Sequence, residues 1–171
     1  MNNLQHNCHF SRRDIGLLFA GAGGLILMPG RAHAREVEAL ALTCMDYRLI
    51  DDAVRFFDSV HLTNNYDEVS LAGASLAAVS PKFPSSNAAF WDHVVIARQL
   101  HHVKKVVFLD HRDCGAYKVA FGKTFAAEHN AETAQHKDIM LQTKAMLAKK
   151  HPELGCDGYL MALDGTTERL I

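Results

Sequence analysis

The sequence predicts an α/β fold with a mostly parallel central sheet flanked by helices, and three observations carry that expectation. Apolar strand-like runs alternate with helical ones in the order strand, helix, strand, helix, strand, helix, strand, and such alternation implies crossovers that pack helices on both sheet faces. The run Val106-Val107-Phe108-Leu109 is apolar at every position, as a strand covered on both faces must be. No internal repeat, low-complexity tract or second domain interrupts the pattern.

Residues 36–45 read as the first strand. Asp51 and Asp52 then cap a short helix over 53–60, where acids suit the helix dipole. Residues 66–72 form the second strand and 81–86 a loop. Asn87 serves as N-cap of a helix reaching about His102, with Phe90, Val94, Ala97 and Leu100–His101 on one face at the 3.6-residue period. Phe90 and Trp91 are core, while His101 and His102 end that helix rather than ligate metal. The strand through Val106 ends just before His111, at the carboxyl edge where open α/β sheets place their ligands. Cys114 and Gly115 lie in the turn that opens the next helix, a position that favours a thiolate. Residues 126–150 are helical in composition, stopped by His151-Pro152, and 158–163 form the last strand, closed by Asp164-Gly165. His129 and His136, seven residues apart, share an exposed helix face.

Residues 1–34 read as an export signal and 35–171 as the folded domain. Ser11-Arg12-Arg13 precedes a Gly-rich apolar run, and Ala32-His33-Ala34 supplies a small-residue cleavage site, the arrangement of a cleaved leader. The twin arginine points to Tat export and a periplasmic destination. The apolar run is too short and Gly-broken for a stable membrane span, which needs roughly 20 residues. Over the whole chain 18 basic face 19 acidic side chains, and the leader removes mostly arginine, leaving a mildly acidic domain without a basic patch. Nucleic acid is therefore not an expected partner.

Two short motifs carry the chemistry: Cys44-Met45-Asp46-Tyr47-Arg48 and His111-Arg112-Asp113-Cys114-Gly115. Two thiolates and an imidazole form a tetrahedral zinc set one ligand short of closure, as catalytic zinc sites are. In an extended strand Cys44, Asp46 and Arg48 would face one way and Met45 and Tyr47 the other, into packing. Asp113 orients His111 or Arg112, or is simply a solvated acid. The rival is a disulfide among Cys44, Cys114 and Cys156, favoured by an oxidising compartment; it leaves Asp46, Arg48 and His111 unexplained. Cys156 reads as a small buried hydrophobe.

The paired pattern Cys-x-Asp-x-Arg and His-x-x-Cys-Gly resembles the β-class carbonic anhydrases, from about Val37 to the C-terminus. The resemblance implies a β-carbonic-anhydrase-like fold, with Cys44, His111 and Cys114 as ligands of Zn2+ and Asp46 and Arg48 as a catalytic dyad. It implies reversible hydration of carbon dioxide to bicarbonate by zinc-bound hydroxide, with Asp46 either accepting the hydroxide's hydrogen bond or closing the zinc site itself. It also implies a homodimer or higher homo-oligomer. The chain differs from the family pattern in four places. Ser70 to Ser75 stand where members often carry Arg-Asn-Ala-Gly-Asn. Asp110 stands where a glycine often precedes the zinc histidine. The stretch between the motifs is longer around Ser80 to Asn87, and little N-terminal arm remains after the leader. Hydrolysis of carbonyl sulfide or carbon disulfide, non-catalytic zinc binding in the periplasm and thiol redox chemistry are the other readings.

Overall fold

The computed structural model describes residues 36–125 and 128–171; the export signal expected over 1–34 lies outside them. Five strands form one sheet in the order β2-β1-β3-β4-β5. They are β1 (Ala39–Thr43), β2 (Tyr66–Ser70), β3 (Lys105–His111), β4 (Gly155–Met161) and β5 (Thr167–Arg169). The first four are parallel neighbours, and β5 pairs antiparallel with β4. The helices are α1 (Ile50–Ser59), α2 (Pro84–His101), α3 (Gly115–Phe121) and α4 (His129–Lys150), with short 3-10 turns at Tyr47–Leu49 and Ala74–Ala78. The α/β class and mostly parallel sheet expected from the sequence are present. No helix among the described residues is long and apolar enough to cross a membrane.

The central strands are buried on both faces, so their two-residue period divides one apolar run between two cores. Leu40, Leu42, Val106 and Phe108 pack with Phe90, Trp91 and Val94 of α2 and Met140 and Leu147 of α4. Ala39, Ala41, Val107 and Leu109 face the other way, onto Phe56 and Phe57 of α1. Helix α1 begins at Ile50, three residues before the expected start, so Asp51 and Asp52 lie within its first turn rather than capping it, still where acids suit the helix dipole.

Several boundaries differ from the sequence reading. Helix α2 starts at Pro84, not at Asn87, because proline suits a first helical position where its missing N–H has no partner to lose. Asn87 and Trp91 instead donate from inside the helix to the carbonyl of Ala78. On α2, Phe90, Val94 and Ala97 are buried as expected, whereas Leu100, in the last turn, is 56% exposed. His101 and His102 do end the helix, His102 in the left-handed conformation. On α4 the pair His129 and His136 does not share an exposed face. His136 lies on the buried stripe with Glu132, Met140 and Thr143, and His129, at the helix start, remains outside. Strand β4 begins at Gly155, three residues before the expected start, because backbone pairing with Lys105–His111 extends through its polar first half. Strand β5 has three exposed residues and no hydrophobic pattern to announce it.

Phe108 is fully buried in the middle of the central strand, so Phe108→Ala should destabilise the fold by about 3–5 kcal/mol through lost transfer energy and a residual cavity. Urea unfolding would show a lowered midpoint at unchanged slope; a loss below about 1 kcal/mol would mean that this core collapses around the gap.

Candidate metal centre

In this strand order the chain leaves β1 toward β2 on one side and β3 toward β4 on the other. A crevice therefore opens at the carboxyl ends of β1 and β3, the switch point where doubly wound sheets bind ligands. Cys44 follows β1 by one residue and His111 ends β3. Cys114 is the N-cap of α3, immediately beyond. Their ligand atoms all lie within 4.8 Å of one another. Cys44 Sγ and Cys114 Sγ are 3.9 Å apart, and Cys44, Cys114 and Cys156 are free thiols, so the disulfide rival is not realised.

Each group is aimed by a specific contact. His111 Nδ1 donates to the Arg112 carbonyl at 2.8 Å, which leaves Nε2 with its lone pair toward the cysteines. That Nε2 is buried and has no hydrogen-bond partner. The Gly73 amide donates to Cys44 Sγ at 3.4 Å. Gly73 has φ +86°, and a Cβ there would stand 3.0 Å from Ala116 Cβ, so both conformation and space require glycine.

The backbone leaves the extended conformation after Thr43, and this corrects the expected strand geometry of the first motif. Asp46 caps the 3-10 turn Tyr47–Leu49 through the Arg48 amide. Arg48 then folds back on it, Nε to Oδ1 at 3.0 Å and Nη2 to Oδ2 at 2.8 Å. Asp46 and Arg48 do converge on the site, with Asp46 Oδ2 3.8 Å from His111 Nε2. Met45 and Tyr47, however, point outward and are 66% and 82% exposed. Asp113 serves neither His111 nor Arg112: its carboxylate accepts from Arg48 Nη1 at 3.0 Å.

Electrostatics follow from these contacts. A hydrogen bond from Cys114 holds Cys44 well below the usual thiol range; burial opposes this and His111 assists it. Cys114 is pushed up by the Cys44 thiolate and by burial. The Ala116 and Tyr117 amides at the helix start act in the expected direction but are outweighed. His111 is depressed most by burial, yet contact with the Cys44 thiolate, the Arg112 carbonyl and the charge of Asp46 raise it overall. Hydrogen bonds from Arg48 lower Asp46 to about 2 against a smaller opposing effect of burial.

Residues 34–156 match the family model described as "Putative carbonic anhydrase". The chain belongs to this carbonic anhydrase family. It is 38% identical over 135 residues to an uncharacterized protein of Rickettsia conorii, covering 79% of this chain and 73% of the relative. It is 36% identical to one of Rickettsia bellii, covering 79% and 82%. Among solved structures it is similar to a β-carbonic anhydrase of Aspergillus fumigatus, at 18% identity and TM-score 0.49, covering 84% of this chain and 79% of that one. It is also similar to β-carbonic anhydrase isoform I of Trichomonas vaginalis, at 15% identity and TM-score 0.45, covering 80% and 84%. Family membership rests on the family model.

For a carbonic anhydrase family member, the supporting residues are as informative as the motifs. Glu132, 3% exposed on α4, accepts from the Asp113 amide at 2.7 Å and from Arg112 at 3.0 Å. Arg112 also reaches Thr133 at 2.7 Å, the His129 carbonyl at 3.2 Å and Glu168 of β5. These bonds fix the loop whose carbonyl orients His111. Sequence reasoning found neither Glu132 nor Gly73 as site residues; a lone acid in a helix and a glycine in a loop carry no local signal.

The folded Asp46 carboxyl lies below the ordinary ~3.9, so its contribution to stability is present above pH ~4 and is lost as pH falls through about 2. Arg48→Ala should return Asp46 toward ~3.9, read by carbon NMR of the aspartate carboxyls across an acid titration. An Asp46 that still titrates near 2 in the variant would remove Arg48 as the cause.

Proposed function

We propose that the chain is a zinc-dependent enzyme that reversibly hydrates carbon dioxide to bicarbonate. The observation that carries this reading is the convergence of Cys44, His111 and Cys114 beside a carboxylate clamped by an arginine. The donor set fits zinc: two sulfurs and one imidazole suit a tetrahedral ion with one position left for water. The unpartnered, buried His111 Nε2 supports the same conclusion, since a buried polar atom without a partner is costly unless something ligates it. Zinc would be held by these three residues. When bound, it supplies the Lewis acidity that makes water a nucleophile near neutral pH. Both thiols must ionise to hold it, so loading displaces the proton that Cys44 and Cys114 share.

The remaining work falls to side chains of the chain itself. Asp46, held at about 2, is ionised at every physiological pH. Its carboxylate accepts a hydrogen bond from the attacking water and so aims the oxygen lone pair at carbon. Arg48 engages both Asp46 oxygens, which supports this acceptor role over direct ligation of the metal. Asp113 fixes the far side of the guanidinium. Behind Cys44 and His111 lies a cavity of about 70 Å³, walled mainly by Leu49, Ala53, Val54, Leu109 and Met161. A linear triatomic without hydrogen-bonding hydrogens suits that space. An opening of about 280 Å³ beside Asp46 and Tyr47 gives water and proton acceptors a route in. The twin-arginine leader supports a periplasmic location, and the exposed Met45, Tyr47 and Ile50 beside the site support a homo-oligomer that covers them.

Stopped-flow carbon dioxide hydration by the zinc-loaded protein at pH about 8.5, above the ~7 of an activated water, should greatly exceed the buffer rate and be abolished by a zinc-binding anion. Asp46→Asn should retain zinc and lose about 10²–10⁴-fold in turnover, while Cys114→Ser should lose the metal. Full activity in Asp46→Asn would sink the role given to that carboxylate. No hydration by fully loaded wild type would overturn the substrate, and carbonyl sulfide hydrolysis would then separate a related enzyme from a zinc-binding protein.

A further inference from the structure

On the face of β3 opposite His111 lies a carboxylate that the proposed chemistry does not use. Asp110 is 1% exposed. Its Oδ1 accepts from the Ser75 amide at 2.9 Å. Its Oδ2 accepts from Ser75 Oγ at 2.6 Å, Tyr117 OH at 2.7 Å and His136 Nδ1 at 2.8 Å. All four residues are buried, and they come from four elements: β3, the 3-10 turn Ala74–Ala78, α3 and α4. A buried carboxylate is tolerated only when hydrogen-bonded this fully. Burial and the Asp110 charge raise the Tyr117 phenol well above its ordinary range, so it stays a donor. Asp110 and the stretch ending at Ser75 are two of the places where the sequence differs from the family pattern, and the structure bonds one to the other.

Each partner sits close to a site group. Asp110 precedes His111, Tyr117 lies one turn beyond Cys114, and Ser75 is two residues after Gly73, whose amide reaches Cys44 Sγ. The link through Ser75 is under strain. Gly73 at φ +86° is followed by Ala74 at φ +45°, and a residue with a Cβ in that region persists only when its surroundings hold it. The 3-10 turn that follows has no side-chain cap from its own N-cap, Gly73. Asp110 Oδ1 takes the Ser75 amide, the second of the turn, where a capping side chain normally acts. The cap therefore comes from a neighbouring strand.

We propose that Asp110 is a positioning residue: by capping the Ala74–Ala78 turn from β3 and tying it to α3, it holds the Gly73 amide on Cys44 Sγ and keeps Cys114 in register with His111. The inference rests on reading Cys44, His111 and Cys114 as metal ligands. Loss of such an outer partner costs a metal centre about 10–100-fold in affinity.

Cobalt(II) bound to the full chain is the probe, with affinity measured by chelator competition and geometry by the ligand-field and thiolate-to-cobalt absorption bands. Asp110→Asn turns an amide donor toward other donors, and should weaken cobalt binding about tenfold or more and shift the bands. Ser75→Ala and Tyr117→Phe should shift them the same way by less. Leu62→Ala, in the core under α1, should lower the melting temperature and leave the bands in place. Wild-type affinity and bands in Asp110→Asn would overturn the proposal, as would equal shifts in Leu62→Ala. If Asp110→Asn does not fold, unchanged bands in both Ser75→Ala and Tyr117→Phe would overturn it instead. A wild-type chain that binds no cobalt would sink the metal-centre reading itself, before any variant is compared.

Discussion

The parallel pairing of β1 with β3 is the constraint on which the site depends. The register sets Thr43 opposite Leu109, so the chain emerges at Cys44 and at His111 on the same edge of the sheet. Side chains alternate along β3, and a slip of one residue would exchange its two faces. His111 would then turn toward α2 and α4, and Asp110 toward α1. The apolar alternation forbids that slip, because Val106 and Phe108 fill one core while Val107 and Leu109 fill the other. The packing that stabilises the sheet is therefore also what selects which residue meets the cysteines.

A second chain of dependence runs from α4 to the dyad. Glu132 holds the Arg112–Asp113 loop, Asp113 holds Arg48, and Arg48 holds Asp46. These links are not equal. Hydrogen bonds to buried charges contribute about 1.5–3 kcal/mol, whereas an exposed ion pair typically contributes about 0.2–1 kcal/mol. Glu132 is buried and Asp113 is about half exposed. The anchoring of the loop therefore rests on Glu132, and Asp113 contributes orientation more than stability.

The fold class was legible because its signal is long-range and repetitive: buried strands alternating with helices. The candidate site was legible because Cys44, Asp46, Arg48, His111 and Cys114 fall in two compact motifs, and the structure brings all five together. What escaped has a physical reason in each case. The alternation in the first motif predicts a continuing strand, but Asp46 supplies a cap that turns the backbone, and capping competes with strand pairing. The burial of His136 is not predictable from its spacing, because a helix period tells which residues share a face and not which face is buried. Strand β5 escaped because backbone pairing alone makes it. Gly73, Asp110 and Glu132 act through partners at 29, 35 and 19 residues' separation, and no local pattern encodes a contact of that kind.

The cavity behind Cys44 and His111 bears on how substrate choice can work here. Its walls are mainly aliphatic, and the hydroxyl of Thr43 is already donated to Glu68 at 2.9 Å. Glu68, Ser70 and His111 add a few polar groups to that lining, so the pocket selects mainly by size and apolar contact. Hydrophobic pockets separate ligands that differ by one methylene by only about 10–200-fold, and exchanging one oxygen of a linear triatomic for sulfur is a change of similar scale. On the proposed function, discrimination between carbon dioxide and carbonyl sulfide would therefore fall mostly to the reacting groups. The alignment of Asp46 by Arg48 and the charge on the two thiolates would set it, and both are fixed by the loop and turn that Glu132 and Asp110 hold in place.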